Sequence, residues 1–288
     1  MHCYPDCFSC MLQQALGASR EAGADEPQQF EGMRRVLAML QAADLSLSPS
    51  ELSRTTNAIV REVTGAADPY ANYKEASTRL ALEMYPRLKE LVTQSADPLE
   101  AALRLSIAGN IIDVVHTRHH DLEAAVERAL TYPLPGSGMA SFRAALARAG
   151  GVLYLSDNAG ETVFDRLLIE QMGKPVTYAV KGSPILNDAT AADALAAGLD
   201  RAATLVSTGS DSPGTVLRLC SEEFRRIYAS ADLVISKGQS NYETVSNGDG
   251  RVFFLLQVKC AVLGRDIGWP VGSMVLLQGA NGQTLGMG

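Results

Sequence analysis

Hydrophobic positions follow the helical period in the first half of the chain. One set of apolar side chains recurs at spacings of three and four residues: Leu80, Met84, Leu88 and Leu91. Ser48-Pro49 and Asp97-Pro98 each place a capping residue before a proline, which is typical of a helix start. We therefore expect helices, and little strand, before residue 150.

The pattern changes after residue 150, where short apolar runs alternate with helical stretches. The strand candidates are residues 151–156, 175–180, 203–207, 232–236, 251–257 and 273–277. Because these runs are apolar on both faces, they predict a sheet covered by helices on each side. We expect an α/β fold, a Rossmann-like three-layer sandwich with a mainly parallel sheet, preceded by an all-helical N-terminal domain. The predicted boundary divides residues 1–149 from 150–288.

Composition narrows the possible partners. The 288 residues carry a formal net charge of −7, and the pI is about 5.2, so the overall field repels a nucleic-acid backbone. No apolar run reaches the roughly 18 residues that a membrane span needs. We expect a cytoplasmic protein that binds neither nucleic acid nor a membrane.

Polar side chains follow the predicted strands, where open parallel sheets bind ligands. Asp157 and Asn158 follow the first strand, and Asp188 lies in the loop after the second. Their oxygens suit Mg²⁺ or Mn²⁺, and also Co²⁺ or Ni²⁺. Lys181 and Lys259 are candidates for neutralising a phosphoryl group. The other candidate substrate or phosphate contacts after the strands are Asn187, Gly209, Lys237, Gly238, Asn241 and Glu243.

Simpler interpretations of these residues stay open at this point. Asp157 and Asn158 also fit a capped turn between a strand and a helix. Asp188 also fits the N-cap of the helix that follows it. Lys237 and Lys259 also fit solvated surface positions. Only the convergence of several strand ends favours a site.

Taken together, the motifs resemble the metal-dependent damage-control phosphatases, a family formerly of unknown function, in its CxxC-bearing, mostly prokaryotic branch. The motifs that carry the resemblance are Cys7-x-x-Cys10, AGNIID (108–113), SDNAGE (156–161), KGSPILNDAT (181–190), ADLVISKGQSNYE (231–243), QVKC (257–260) and GWPVG (268–272). The sequence departs from the family's GQGN element at Ser240.

The resemblance implies an enzyme that hydrolyses small phosphorylated metabolites, including sugar phosphates. It implies that Asp157, Asn158 and Asp188 hold the divalent metal and that Lys259 contacts the substrate phosphate, so Asp157, Asp188 and Lys259 are the expected catalytic residues. By the same analogy Asn110 and Asp113 reach the cleft from the helical domain, and Asp68, Tyr70 and Lys74 form a weaker substrate-facing group.

Two other functions remain as alternatives. A carboxyl methyltransferase that uses S-adenosylmethionine has been suggested for relatives, but no G-x-G turn follows the first strand. A noncatalytic protein that binds phosphometabolites would keep the phosphate site without turnover. The sequence leaves the oligomeric state open.

Cys3, Cys7 and Cys10 have the C-x3-C-x2-C spacing of radical S-adenosylmethionine enzymes. In those enzymes the cluster loop follows a barrel strand, and no strand pattern precedes Cys3, so we expect no such cluster. The three cysteines are instead candidates for a second metal site, a redox pair or simple packing. His116, His119 and His120 have helical spacing, and a solvated helix face is favoured over a metal pair.

Overall fold

The computed structural model describes residues 1–109, 119–134, 137–247 and 249–279. The predicted positions Asn110 and Asp113, and the side chains of His116, His119 and His120, lie outside the described residues.

Seven helices in the described residues precede the first strand: α1 (Pro5–Glu21), α2 (Glu26–Gln41), α3 (Pro49–Thr64), α4 (Ala71–Gln94), α5 (Pro98–Gly109), α6 (His119–Thr131) and α7 (Gly138–Arg148). The two predicted helix starts are confirmed. Ser48 accepts a hydrogen bond from the Glu51 backbone and caps α3, and Asp97 accepts one from the Glu100 backbone ahead of α5. Within the described ranges, none of the helices combines the length and apolar composition needed to cross a bilayer.

The second half forms a six-stranded sheet of β1 (Val152–Leu155), β2 (Val176–Val180), β3 (Thr204–Ser207), β4 (Leu233–Lys237), β5 (Val252–Gln257) and β6 (Met274–Gln278). The strand order is β3-β2-β1-β4-β5-β6, and only β6 runs antiparallel to its neighbour. The order reverses between β1 and β4, which opens a crevice at the carboxyl ends of these strands.

Alternate side chains of the strands enter two separate hydrophobic layers. Tyr154 and Phe253 pack on one face with helices α4 to α7 and with α8 (Thr162–Met172) and α9 (Ala191–Ala196). Leu153 and Phe254 pack on the opposite face. The helices on that face are α10 (Glu222–Ser230), α11 (Gly238–Val245) and α12 (Ala261–Ile267). The predicted α/β sandwich with a mainly parallel sheet is confirmed.

The helical half is divided between two cores. Helices α1, α2 and α3 build a core of their own around Met11, Val36 and Leu52. Helices α4 to α7 instead belong to the sheet's core, and α5 packs against both α8 and β5. The hydrophobic clusters divide the chain after α3. The predicted domain boundary at residue 149 stays a prediction.

Replacement of Leu103 by alanine tests whether α5 is part of the sheet's core. Leu103 is fully buried, so Leu103→Ala is expected to lower the free energy of unfolding by about 2–5 kcal/mol through lost contacts and a cavity. Leu37→Ala is the matched control because Leu37 is 52% exposed on α2. Urea unfolding of both variants measures the difference, and equal losses would contradict the assignment.

Candidate metal centre

Backbone pairing brings the predicted metal ligands together. The Ala189 backbone N–H donates to the Asp157 carbonyl at 2.8 Å, and the Ala159 N–H donates to the Asn187 carbonyl at 2.9 Å. These bonds place Asn158 opposite Asp188 in a short antiparallel bridge. The loop after β2 therefore returns alongside the turn after β1. The three predicted ligands lie on these two adjoining segments.

The two carboxylates of this centre are buried and repel each other. Asp157 is 6% exposed and Asp188 is 2% exposed. Burial raises the pKa of each to about 6, and repulsion from Asp188 contributes further for Asp157. The Lys181 ammonium, 3.5 Å from Asp188 Oδ2, partly offsets the effect on Asp188.

Asp188 is not the cap of the next helix, because Thr190 caps α9 together with Asp193. Its Oδ2 is buried and accepts no hydrogen bond from the part of the chain that the structure describes. A buried carboxylate oxygen without a hydrogen bond is costly, and a bound cation would satisfy it. Leu186, two residues before Asp188, has a φ of 47°, a strained conformation for a residue other than glycine.

Gly238 provides the floor under the Asp157 carboxylate. It follows β4 with a φ of +77°, and a Cβ at this position would lie 1.9 Å from Asp157 Oδ2. Only glycine allows the backbone after β4 to approach the carboxylate this closely. The predicted phosphate contact of Gly238 stays a prediction, and in the structure its backbone passes close to the Asp157 carboxylate.

The donor set fits a hard divalent cation. Two carboxylates and one amide oxygen match the preferences of Mg²⁺ and Mn²⁺. Across the described ranges, no three His, Cys, Asp or Glu side chains form a metal-binding group, so the candidate centre depends on the Asn158 amide as its third oxygen donor. The fit rests on the unsatisfied Asp188 oxygen and the glycine floor below Asp157.

Lys237 lies beneath this centre and its ammonium is engaged by carboxylates. Its side chain is fully buried, and its Nζ donates to Glu161 Oε2 at 3.0 Å and to Asp165 Oδ1 at 2.6 Å. We expected Lys237 to contact phosphate, but the structure directs it into the protein. Glu161 also accepts from Asn158 Nδ2 at 2.6 Å. Asp165 is a residue that sequence reasoning missed; its only signal was an acidic residue within the mostly apolar stretch VFDRLLI of α8.

Asn241 and Glu243 have partners within the fold rather than open positions. Asn241 Nδ2 donates to the carbonyls of Ser156 and Lys237, both at 2.8 Å, which ties β1 to β4. Glu243 accepts hydrogen bonds from Ser50 of α3 at 2.7 Å and from Gln239 at 2.9 Å. These contacts hold the sheet and the N-terminal helices together around the site.

Gly209 and Asn187 support the loops. Gly209 lies against Gly182, where a Cβ on Gly182 would approach the Gly209 carbonyl carbon to 2.6 Å. Asn187 contributes its carbonyl to the pairing described above. Lys181 donates to the Gly214 carbonyl at 2.6 Å while keeping its charge near Asp188.

Lys259 remains an accessible cation at the site. It is exposed, and it makes no ion pair with any residue in the described ranges. Its charge lowers the pKa of both Asp157 and Glu161, so it lies near the carboxylates. It lines a cavity of about 320 Å³ between the N-terminal helices and the ends of β4 and β5. This position suits an anionic group bound next to the metal centre.

The cysteines lie beside this cavity. Cys7, Cys10 and Cys260 line it, while Cys3 is buried next to Cys7. Burial, with Cys7 nearby, raises the pKa of Cys3 to about 12, and burial also raises the pKa of Cys10. All four are free thiols, and the raised pKa values of Cys3 and Cys10 disfavour the thiolate that metals and oxidants require at those two residues. A metal or redox role for Cys3, Cys7 and Cys10 stays a prediction.

A larger cavity of about 740 Å³ lies between α4 and the loop that carries Asp188. Lys74, from the weaker substrate-facing group, lines it. Its Nζ is 2.8 Å from Asp68 Oδ2 and 3.1 Å from Asp193 Oδ2. The positive charge is thereby already shared between two carboxylates, so Lys74 links α4 to α9 in this structure.

These features define a doubly wound α/β protein with a cluster of oxygen donors, the candidate metal centre, at the point where the strand order reverses. The model of the damage-control phosphatase ARMT1-like domain matches residues 3–275, and the chain belongs to this family.

Relatives from three organisms match between 74% and 95% of the chain. An uncharacterised protein of Methanocaldococcus jannaschii is 33% identical over 95% of this chain and 94% of its own length. A damage-control phosphatase of Archaeoglobus fulgidus is 34% identical over 94% and 97%. One from Pyrococcus horikoshii is 37% identical over 74% and 76%. The crystal structure of a DUF89 family protein from P. horikoshii superposes with a TM-score of 0.89 at 32% identity, covering 97% of this chain and 99% of that one.

Replacement of Gly238 by alanine tests the glycine floor. Gly173→Ala is the matched control, because Gly173 also has a positive φ but no atom lies within 4 Å of the added Cβ. Both variants are expected to lose roughly 1–2 kcal/mol of stability from backbone strain. Only Gly238→Ala is expected to weaken Mn²⁺ binding, by at least about 10-fold, because the methyl group displaces Asp157. Calorimetric titration measures the Mn²⁺ affinity of both variants. Equal affinities would refute the close approach of Gly238 to Asp157.

The raised pKa values predict a pH dependence of metal binding. Because metal ligands must be deprotonated, Mn²⁺ affinity is expected to fall as the pH drops through about 6, where Asp157 and Asp188 take up protons.

In metal-free protein the same raised pKa values mean that the pair's contribution to stability is greatest below about pH 4 and is lost as pH rises through 6. Mn²⁺ should reverse that loss at pH 7.5. Titrations and melting curves from pH 5 to 8 check both; a constant Kd would contradict the assignment.

Proposed function

We propose that the protein is a metal-dependent phosphomonoesterase that hydrolyses small phosphorylated metabolites such as sugar phosphates. Asp157, Asn158 and Asp188 would hold Mn²⁺ or Mg²⁺, with Co²⁺ or Ni²⁺ as further candidates. The observation that carries the proposal is the buried Asp188 oxygen without a hydrogen bond beside Asp157 and Asn158. Membership of the damage-control phosphatase family supports the reaction class.

The charges of the centre suit a phosphate ester. A divalent ion, when bound, polarises the phosphoryl oxygens and neutralises the charge that develops on them. Lys259 is exposed, lines the adjoining cavity and lies near enough to Asp157 and Glu161 to lower their pKa values, so its ammonium can contact the remaining phosphoryl oxygens. Hydrolysis breaks the ester P–O bond and forms a P–O bond to water, and the leaving oxygen takes up a proton.

The cavity beside Lys259 suits the rest of the substrate. Its volume of about 320 Å³ accommodates a small metabolite, and its lining includes the polar side chains of Gln14, Gln239 and Glu243. Its walls come from α1, α3 and α11, so the N-terminal helices are placed to select the leaving group. We propose that the substrate is a soluble cytoplasmic compound.

Measurement of phosphate release tests this function. Metal-free protein receives single divalent ions and a panel of sugar phosphates, nucleotides and an aryl phosphate. Turnover is expected only with metal. The rate of phosphate release by Asp188→Asn is expected to be lower by more than about 100-fold. That is a larger loss than the one expected for a residue that only supports a metal ligand. Asp200→Asn, on an exposed turn, is the control and should retain full activity.

Two outcomes would contradict the proposal. Wild-type turnover by a folded Asp188→Asn variant would remove Asp188 from the mechanism. Tight binding of phosphorylated compounds without release under any metal would identify a noncatalytic binding protein instead. Saturable binding of S-adenosylmethionine without metal would favour the methyltransferase alternative.

A further inference from the structure

Asn158 is the one neutral member of the ligand set, and its amide has two unlike ends. Only the Oδ1 end can bind a metal, because the NH₂ end is a donor. Its Nδ2 donates to Glu161 Oε1 at 2.6 Å and, over a longer distance of 3.5 Å, to Asp157 Oδ2, which leaves Oδ1 at the opposite end. The orientation of this amide therefore depends on the acceptor at Glu161.

Glu161 is itself held by a buried ion pair. It is 2% exposed, and its second oxygen accepts from Lys237 Nζ at 3.0 Å. Lys237 is fully buried and donates also to Asp165 Oδ1 at 2.6 Å. The two carboxylate oxygens of Glu161 thus have different partners, since one holds the amide of Asn158 and the other holds Lys237.

Asp165 anchors the inner end of this arrangement. Its carboxylate accepts hydrogen bonds at 2.8 Å from each of three hydroxyl groups, those of Ser106, Tyr154 and Tyr178. These donors come from α5, β1 and β2, so Asp165 is fixed from three separate elements. Lys237 is the last residue of β4.

The cost of this burial indicates a specific purpose. Desolvating a lysine and two carboxylates costs several kcal/mol per ion, and apolar side chains of similar volume would often be as stable. Four carboxylates and two ammonium groups make contact around the centre, and they leave a net charge of −2 when all are ionised. The groups are Asp157, Glu161, Asp165, Asp188, Lys181 and Lys237. A divalent cation would balance these buried charges; the exposed Lys259, which lowers the pKa of Asp157 and Glu161, is outside this count.

We propose that Glu161, fixed by Lys237 and Asp165, is a positioning residue that holds the Asn158 amide with its oxygen toward the divalent metal and thereby sets metal affinity. The inference rests on the metal centre of the proposed function but not on phosphate ester hydrolysis. It assigns Lys237 to the support of the metal ligand rather than to the substrate. Outer partners of metal ligands typically contribute 10- to 100-fold in affinity, which gives the expected scale.

Glu161→Gln is the first test, with Mn²⁺ binding to metal-free protein measured by calorimetry in the absence of substrate. The variant keeps the shape of the side chain but can present NH₂ to Asn158, so the Kd for Mn²⁺ is expected to rise about 10- to 100-fold. Tyr178→Phe is the matched control, because it removes one donor to Asp165 without touching Asn158. Its Kd should stay within about threefold of wild type, below that 10- to 100-fold scale.

A double-mutant cycle separates orientation from general stability. Asn158→Asp gives residue 158 two equivalent oxygens, so the side chain no longer needs to be oriented. In that background Glu161→Gln is expected to cost nothing, or to improve affinity by removing a repulsion. An unchanged 10- to 100-fold cost there would overturn the positioning role.

A second variant keeps the proposal testable if Glu161→Gln does not fold. Glu161→Gln with Lys237→Met removes both charges of one pair, and Asp165, which loses its ammonium partner, keeps its three hydroxyl donors. The same loss of Mn²⁺ affinity is expected, and wild-type affinity in a folded double variant would refute the inference. Mn²⁺ binding without phosphate release in the wild type would refute only the phosphatase. Absence of divalent-metal binding in the wild type would refute both.

Discussion

Repulsion among four buried carboxylates is the constraint around which this structure is arranged. Asp157 and Asp188 face each other at the ends of the sheet, with Glu161 and Asp165 directly behind them. Two buried lysines offset half of this charge. Burial and the remaining negative charge together make the ionised, metal-free centre unfavourable, and the pKa values of Asp157 and Asp188 are raised accordingly. The fold must therefore hold these groups together by other means.

The sheet and its loops supply those means. The strand order reverses between β1 and β4, so their carboxyl ends open a crevice between them. Asn241 closes the base of this crevice by bonding to the carbonyls at the ends of both strands. Backbone bonds then fix the Asp188 loop beside the turn after β1. Because these restraints come from backbone bonds and a neutral amide, the carboxylates stay together despite their charge.

The sequence predicted the strands to within about one residue, because apolar runs of strand length are visible directly in it. The division of the helices was hidden, since an amphipathic pattern shows that a face is buried without showing against what. The assignment of Lys237 to phosphate failed for a similar reason. In the sequence, a lysine at a strand end gives the same pattern whether its ammonium faces solvent or a carboxylate on another element. Asp165, the carboxylate that accepts from Lys237, is eight residues beyond Asp157 on a different element.

The three lysines of the site differ in a way that suits catalysis. Lys181 and Lys237 are buried, and their ammonium groups have fixed partners, so they balance charge that is permanently present. Lys259 is exposed and lies at the edge of the adjoining cavity, so it can balance charge that arrives with a ligand. A buried cation already paired would gain little from a phosphate, because it would have to give up a carboxylate first. A site that must bind and release an anion repeatedly therefore needs an accessible lysine, and Lys259 is placed to meet that need.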